Sequence, residues 1–507
     1  LDVDFAADGC LTRLQIESRR HTWKNCGMAT ATADVSTYGF LLNGRWIEQG
    51  TAVPVHSPYS GEVVTQVIAA ARDHAEEAIR GAAAAFAVTR KMPACDRQRV
   101  LERVSAGIAA GGEKFARRMA LEAGKPIRTA RTEVARAVFT FKVAAEESTR
   151  IYGEYLPLDA SDIAKDRWGI VRRFPLGPIA AITPFNFPLN LVAHKIAPAI
   201  AAGCTMVLKP APQAPGCALM LARLIEEAGW PAGALSVLPL SNEDAAPLVE
   251  DPRIKMLTFT GSTAVGWALR SRAGKKRVTL ELGGNAGMIV HSDADLEYAA
   301  DRCVTLGFAY SGQSCVSAQR ILVHQPAYDR FLKLMLERVA HLKTGDPLEE
   351  STDIGPLIRE PDAARAESWV QEAVAGGSKL LCGGRRQGPI FEPTILTNTK
   401  PEMKVNCMEV FAPVKTVEPY ATFDEAVARV NDSPYGLQSG VFSRDLRLIF
   451  RAFEEIETGS VMANEVPTFR ADQMPYGGMK DSGTGREGLR YSIEEMTERK
   501  LLLLNLR

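Results

Sequence analysis

The sequence predicts an α/β protein with a parallel sheet covered on both faces, and three observations carry that prediction. Strand-like and helix-like segments alternate between Gly177 and Leu282. A second alternating block begins near Ala286-Gly-Met-Ile-Val290. A long helical stretch, Asp73 to Arg150, precedes both. Short apolar runs separated by helical periods are what βαβ units require.

At 507 residues the chain exceeds what one hydrophobic core holds, so two or three domains are expected. The first 27 residues, before Met28, show no clear period and no signal-peptide core, and are set aside as an extension. From Asp73 onward, Ala-rich segments lead into Arg97 to Met119, with Val100, Val104, Ile108 and Phe115 at helical spacing. Gly124-Lys-Pro126 ends that unit, and Glu133 to Ser148 forms another helix. Ile151 to Arg173 has period-two character (Tyr152, Tyr155, Trp168, Ile170, Val171) and reads as a projecting hairpin. Strands are expected at 179–182, 205–208, 235–238, 255–259 and 278–280, with helices at 189–202, 214–228, 243–249 and 264–272. In the second block, helices are expected at 296–309, 328–342 and 363–375, and strands at 321–323 and 395–396. The terminal run Lys500-Leu-Leu-Leu-Leu-Asn-Leu506 is an apolar strand. It either completes its own sheet or pairs across a subunit boundary.

Sixty basic residues balance sixty acidic ones, so neither nucleic acid nor an anionic membrane is expected as partner. The charge-poor stretch Phe174 to Ala193 is long enough to span a bilayer. Its prolines at 175, 178, 184 and 188 would leave backbone groups unsatisfied in lipid, which excludes a membrane helix there. The cysteines are scattered without C-x-x-C spacing or a histidine cluster. That pattern predicts reduced thiols in a cytoplasm and no metal site.

Cys315 lies in Ser311-Gly-Gln-Ser-Cys-Val-Ser-Ala-Gln-Arg320, and Glu281 in Leu280-Glu-Leu-Gly-Gly-Asn285. A thiol among Gly and Ser, with a carboxylate at a glycine-flanked strand end, suggests covalent chemistry followed by hydrolysis. A free cysteine is largely protonated near neutrality and needs activation to attack. Glu281 can act as a general base toward water once burial lifts its pKa. Asn186, held between Pro184 and Pro188 with a phenylalanine on either side, is a rigid amide donor for developing negative charge. Each has a plain alternative: a buried thiol, a strand-end ion pair, a turn amide.

No G-x-G-x-x-G opens a helix after a strand, so the usual dinucleotide fingerprint is missing. Phe259-Thr-Gly-Ser-Thr-Ala-Val-Gly266 stands in its place. Ser262 and Thr263 can cap the following helix, whose free N–H groups form an anion site. Lys209 follows its strand directly, where ligands of open parallel sheets gather, and can reach ribose hydroxyls or a phosphate. A capping lysine is the alternative.

The ordered series T-P-F-N-F-P, L-K-P, F-T-G-S-T-x-x-G, E-L-G-G-N, G-Q-S-C, M-E-V-F-A-P and P-Y-G-G-M-K-x-S-G-x-G-R-E-G strongly resembles the aldehyde dehydrogenase superfamily, from about Gly39 to the C-terminus. That resemblance implies a Rossmann-like NAD(P)-binding domain (28–150 and 174–283), an α/β catalytic domain (284–474), and a β oligomerisation arm with C-terminal tail (151–173 and 475–507). It implies oxidation of an aldehyde to a carboxylate through a thiohemiacetal and a thioester. Cys315 matches the nucleophile, Glu281 the base, and Asn186 the oxyanion donor acting with the Cys315 N–H. Thr183, Pro184, Phe185, Lys209, Gly261, Ser262, Leu282, Gly283, Glu409 and Phe411 match cofactor contacts. A homodimer or homotetramer is implied by the arm segments. A coenzyme A-acylating enzyme and a non-catalytic relative are the competing readings.

Two positions depart from the family pattern. Pro212 stands where many NAD-preferring members carry a glutamate, so NADP is admitted alongside NAD, with a lean to NAD. Ala412 replaces a glycine in the E-x-F-G-P motif. The tail resembles members acting on small oxygenated aldehydes: lactaldehyde, glyceraldehyde derivatives or semialdehydes. Arg136 and Arg470 are candidates to clamp an anionic or hydroxylated tail, and Phe187, Phe469 and Tyr476 to line the entrance.

Overall fold

A computed structural model describes residues 35–506. Its largest sheet has eight strands. Five parallel strands form its middle, in the spatial order Arg277–Glu281, Met256–Thr260, Ile179–Ile182, Met206–Lys209, Leu235–Val237. Ile179–Ile182 comes first in the chain and lies in the centre. The next two strands add on one side and the last two on the other. The winding therefore reverses between Ile179–Ile182 and Met256–Thr260, which opens a crevice at the carboxyl ends of those neighbours. Every strand expected between Gly177 and Leu282 is present, and the helices between them lie within two or three residues of the expected bounds.

The sheet's edges were not anticipated. Phe40–Leu42 and Arg45–Ile47 close one side as an antiparallel pair, and Gly483–Thr484 pairs antiparallel with Arg277–Glu281 on the other. The helical stretch is four helices, Arg72–Thr89, Ala94–Ala110, Gly112–Ala123 and Ile127–Ser148. Their apolar faces join the first sheet in one core that includes Ile79, Val104, Phe141 and Ile196, each fully buried. At about 1.5–3 kcal/mol per buried aliphatic or aromatic side chain, this packing holds the strand ends in register.

A second sheet of seven strands is parallel except for Lys379–Cys382 at one edge. Gly287–Val290, Arg320–His324 and Val414–Tyr420 lie side by side within it, over their own core. The third sheet is antiparallel: Glu154–Pro157, Arg167–Pro175 and Thr497–Asn505. The projecting hairpin is thus formed, and the terminal strand pairs within its own chain, Leu501 opposite Val171. The rest of the tail belongs elsewhere: helix Leu489–Glu495 packs on helix Asn190–Ala202 of the first layer. Among the described residues no helix is long and apolar enough to cross a membrane. The extension at 1–27 lies outside the described residues.

Candidate active site

Three strand ends of the large sheet deliver the first group of side chains. Ile179–Ile182 runs on into Pro184, Phe185 and Asn186; Met256–Thr260 into Gly261 and Ser262; Arg277–Glu281 ends on Glu281 and continues as Leu282 and Gly283. All of these line one cavity of about 250 Å³. The second sheet adds Cys315 from the loop entering Arg320–His324, and Glu409 with Phe411 from the loop entering Val414–Tyr420. Phe187, Arg136 from helix Ile127–Ser148, and Arg470 with Tyr476 from the 464–478 loop complete the wall.

Three expected residues do not line it. Thr183 and Lys209 sit one step away at the same sheet edge, the Thr183 N–H donating to the Lys209 carbonyl at 3.1 Å. Phe469, expected at the entrance, is 43% exposed, and its neighbour Thr468 faces the cavity instead.

The loop carrying Cys315 is held in an unusual backbone. Tyr310, Ser311 and Gly312 are all left-handed, with φ of 49°, 58° and 69°. A side chain at Gly312 would also collide with the Ala412 carbonyl. Ser311 Oγ donates to the Gly355 carbonyl (2.7 Å), Tyr310 O–H to the Ala123 carbonyl (2.7 Å), and Gln313 Oε1 accepts from the Ile358 N–H (2.9 Å). These bonds over-determine a conformation that costs energy, as strained functional loops require. Gly284 lets the strand-end segment approach: a Cβ there would lie 2.6 Å from the Cys315 carbonyl. Asn186 Nδ2 donates to the Gln313 carbonyl (3.1 Å), which ties the amide to the cysteine loop, while its Oδ1 is buried without a partner.

Burial pushes the Cys315 thiol up to about 12; the Tyr476 hydrogen bond works against that, and the nearby carboxylates of Glu409 and Glu281 reinforce it. Neither oxygen of Glu281 has a hydrogen-bond partner. Burial, and then the charge of Glu487, raise its carboxyl well above the usual carboxylate range. Glu409 is raised to about 7 by burial, less what the Gly284 N–H recovers at 2.9 Å.

Behind the two arginines lies a network that no local sequence pattern announced. Asp472 accepts from Arg136 Nη2 (2.8 Å) and Nε (3.2 Å), Asn190 Nδ2 (3.0 Å) and His194 Nε2 (2.8 Å). Burial would raise its carboxyl, but the His194 bond and Arg136 hold it far below the usual range. Glu487 accepts from Lys195 Nζ (3.0 Å) and Arg470 Nη2 (3.5 Å). Arg470 lies 3.7 Å from the Tyr476 ring centre, and its Nε is buried without a partner. The only available sequence signal was Asp472 standing two residues after Arg470 in the tail loop.

The strand ends fit a dinucleotide. Helix Thr263–Arg272, ten residues long, starts at Ser262, whose side chain forms no cap bond, so its first N–H groups remain free for a phosphate. The hydroxyls of Thr183, Thr260 and Thr263 are buried without partners beside it. Burial alone lowers the Lys209 ammonium, with no carboxylate acting on it.

Residues 46–502 match the family described as the aldehyde dehydrogenase family. The chain belongs to that family. This aldehyde dehydrogenase is 44% identical over 478 residues to a 3-sulfolactaldehyde dehydrogenase of Priestia megaterium, covering 94% of this chain and 100% of that one. It is 38% identical over 470 residues to a lactaldehyde dehydrogenase of Methanococcus aeolicus, covering 92% and 99%. The crystal structure of aldehyde dehydrogenase 21 from Physcomitrella patens, in complex with the reaction product succinate, superposes with a TM-score of 0.92 at 45% identity, covering 93% of this chain and 99% of that one. The aldehyde dehydrogenase fold is therefore the fold of this chain, and the protein is an NAD(P)-dependent oxidoreductase acting on aldehydes.

Proposed function

We propose that this enzyme oxidises short aldehydes with an anionic or hydroxylated tail, of the lactaldehyde, glyceraldehyde or semialdehyde kind, to their carboxylates by thiol chemistry at Cys315. The observation that carries the reading is that one small cavity holds Cys315 together with two guanidiniums, Arg136 and Arg470. The buried Nε of Arg470 lacks an acceptor, and a carboxylate or sulfonate oxygen would satisfy it. The printed names of the relatives, 3-sulfolactaldehyde dehydrogenase and a structure holding succinate, support the same class.

In this reading the Cys315 sulfur adds to the aldehyde carbon, and Asn186 with the Cys315 N–H receives the oxyanion. When bound, the nicotinamide supplies the hydride acceptor. Glu281 then takes a proton from the water that cleaves the thioester; burial raises its carboxyl, which makes its ionised form a stronger base than an ordinary carboxylate. Gly261 and Ser262 hold the phosphate end of the cofactor, with Thr183, Pro184, Phe185 and Lys209 beside it, and Glu409 with Phe411 hold the nicotinamide end, against Leu282 and Gly283. Phe187 and Tyr476 border the substrate.

With Pro212 in place of an acidic residue near Lys209, NADP is accepted as well as NAD. Trp168, Leu501, Leu502 and Leu503, all exposed on the third sheet, support burial of that sheet in a homodimer or homotetramer. The described cysteines are all free, which supports a cytoplasmic setting.

The test is an aldehyde panel (succinic semialdehyde, 3-sulfolactaldehyde, lactaldehyde, acetaldehyde) with each cofactor, read as kcat/KM. Anionic substrates should lead acetaldehyde by about tenfold or more, the scale of one charge-assisted contact. Equal rates across the panel would remove the clamp.

A further inference from the structure

Cys315 has a resting state unsuited to attack, and nothing in the roles assigned so far corrects it. The hydroxyl of Tyr476 touches its sulfur, and the charges of Glu409, Glu281 and Arg470 act on it. The two carboxylates oppose a thiolate wherever they are ionised. The two groups that favour it are Tyr476 and, through space, Arg470.

Tyr476 is built to meet that sulfur. Its hydroxyl lies 3.1 Å from Cys315 Sγ. Its backbone is fixed from both sides by Glu487, whose carbonyl accepts the Tyr476 N–H (3.0 Å) and whose N–H donates to the Tyr476 carbonyl (2.6 Å). The ring is 3% exposed and packs with Val316, Leu437 and Met474. The Arg470 guanidinium lies over its face at 3.7 Å from the ring centre. A cation there draws on the ring's electrons, which strengthens the phenolic O–H as a donor. The ring has no freedom to turn away, and its hydroxyl is aimed at the one atom that must become negative.

We propose that Tyr476 is a catalytic residue of this enzyme: its O–H, polarised by the Arg470 guanidinium stacked on its ring, donates a hydrogen bond to Cys315 Sγ and stabilises the thiolate that attacks the aldehyde. Burial keeps the phenol protonated well above its ordinary range, so it acts only as a donor toward the charged sulfur. The proton leaves Cys315 for solvent or a neighbouring base; Tyr476 keeps its own throughout. The inference rests on Cys315 being the nucleophile and is independent of which tail the substrate carries.

The decisive experiment is peptide-resolved alkylation of the cofactor-free enzyme by iodoacetamide between pH 7 and 9.5, in wild type and Tyr476→Phe. Exposed Cys95, on a distant helix, is the internal standard. The variant keeps the ring, its packing and its backbone bridge, and loses only the hydroxyl. The labelling ratio of Cys315 to Cys95 should fall about tenfold at each pH, the effect of one unit in the thiol pKa. The pre-steady-state burst of NAD(P)H should slow by a similar factor at each pH, its absolute rate rising with pH in both proteins. An unchanged ratio overturns the proposal, as does a burst as fast in the variant as in wild type. If Cys315→Ala still gives a burst, the nucleophile assignment itself fails, and the two failures are told apart.

Discussion

Glu281 and Asp472 are carboxylates buried at the same site, one closing a strand of the large sheet and the other in the loop after Arg470. Asp472 is surrounded by four hydrogen bonds from three side chains and is held far below the usual carboxyl range. Glu281 has no hydrogen-bond partner on either oxygen and is raised well above that range. The same functional group is thus made into a permanent anion in one place and a proton acceptor of tunable state in the other. Of these two carboxylates, the one with partners builds the frame, whereas the one without lines the cavity. Asn186 lies between the two, its Nδ2 donating to the Gln313 carbonyl and its Oδ1 without a partner.

The sharpest way to break this contrast is Glu281→Gln. Steady-state turnover should fall by about 10²–10⁴ while the first burst of NAD(P)H persists, and thermal stability should hold or rise because an unpaired buried carboxyl is removed. Full turnover in that variant would end the deacylation role. Asp472→Asn should do the reverse. Breaking a buried charged network costs about 3–5 kcal/mol, visible as a lower Tm and denaturant midpoint. A variant as stable as wild type would show that the network is ornamental. Asn186→Ala should slow the burst itself by about 10²–10³, the cost of one oxyanion donor, and so separate the attack step from the hydrolysis proposed for Glu281.

The smallest effect concerns pH, and its signs are opposite at the two carboxyls. Glu281 has a raised pKa in the folded chain, so the unfolded state gives up that proton first. Stability falls as pH climbs from about 4.3 toward the folded value, and Glu281→Gln should abolish that slope. Asp472 has a depressed pKa, so its contribution is complete above about 3.9 and is lost as pH falls below it. Denaturant titrations of both variants from about pH 2 to 8 test the pair; parallel slopes would contradict it.

The parallel centre of the large sheet was legible because 177–282 alternates apolar runs with helical periods, and each run is long enough to show its type. Gly483–Thr484 was not, since two residues carry no period and their partner lies some two hundred positions earlier. The side chains at the strand ends were legible because glycine, proline and asparagine mark where a chain turns at a sheet edge. Asp472 and His194 were hidden for the opposite reason: each looks ordinary in its own segment, and only a contact across 278 positions gives it meaning. The off-wall placement of Thr183 and Lys209 was equally invisible, because a motif fixes which sheet edge a residue occupies and leaves its distance from a cavity open.

Helix Asn190–Ala202 is buried along its whole length, and three of its residues reach different parts of the site: Asn190 and His194 hold Asp472, and Lys195 holds Glu487. Its start is gripped by Glu133, which accepts the N–H groups of Leu189 (2.9 Å) and Asn190 (3.0 Å) shortly after Asn186. A rotation of this one rod would disturb the Asp472 network, the Glu487 network and the turn carrying Asn186 together. Diversification toward new aldehydes is therefore channelled away from the helix and into the outer loop, where Thr468 lines the cavity outside the Asp472 and Glu487 networks.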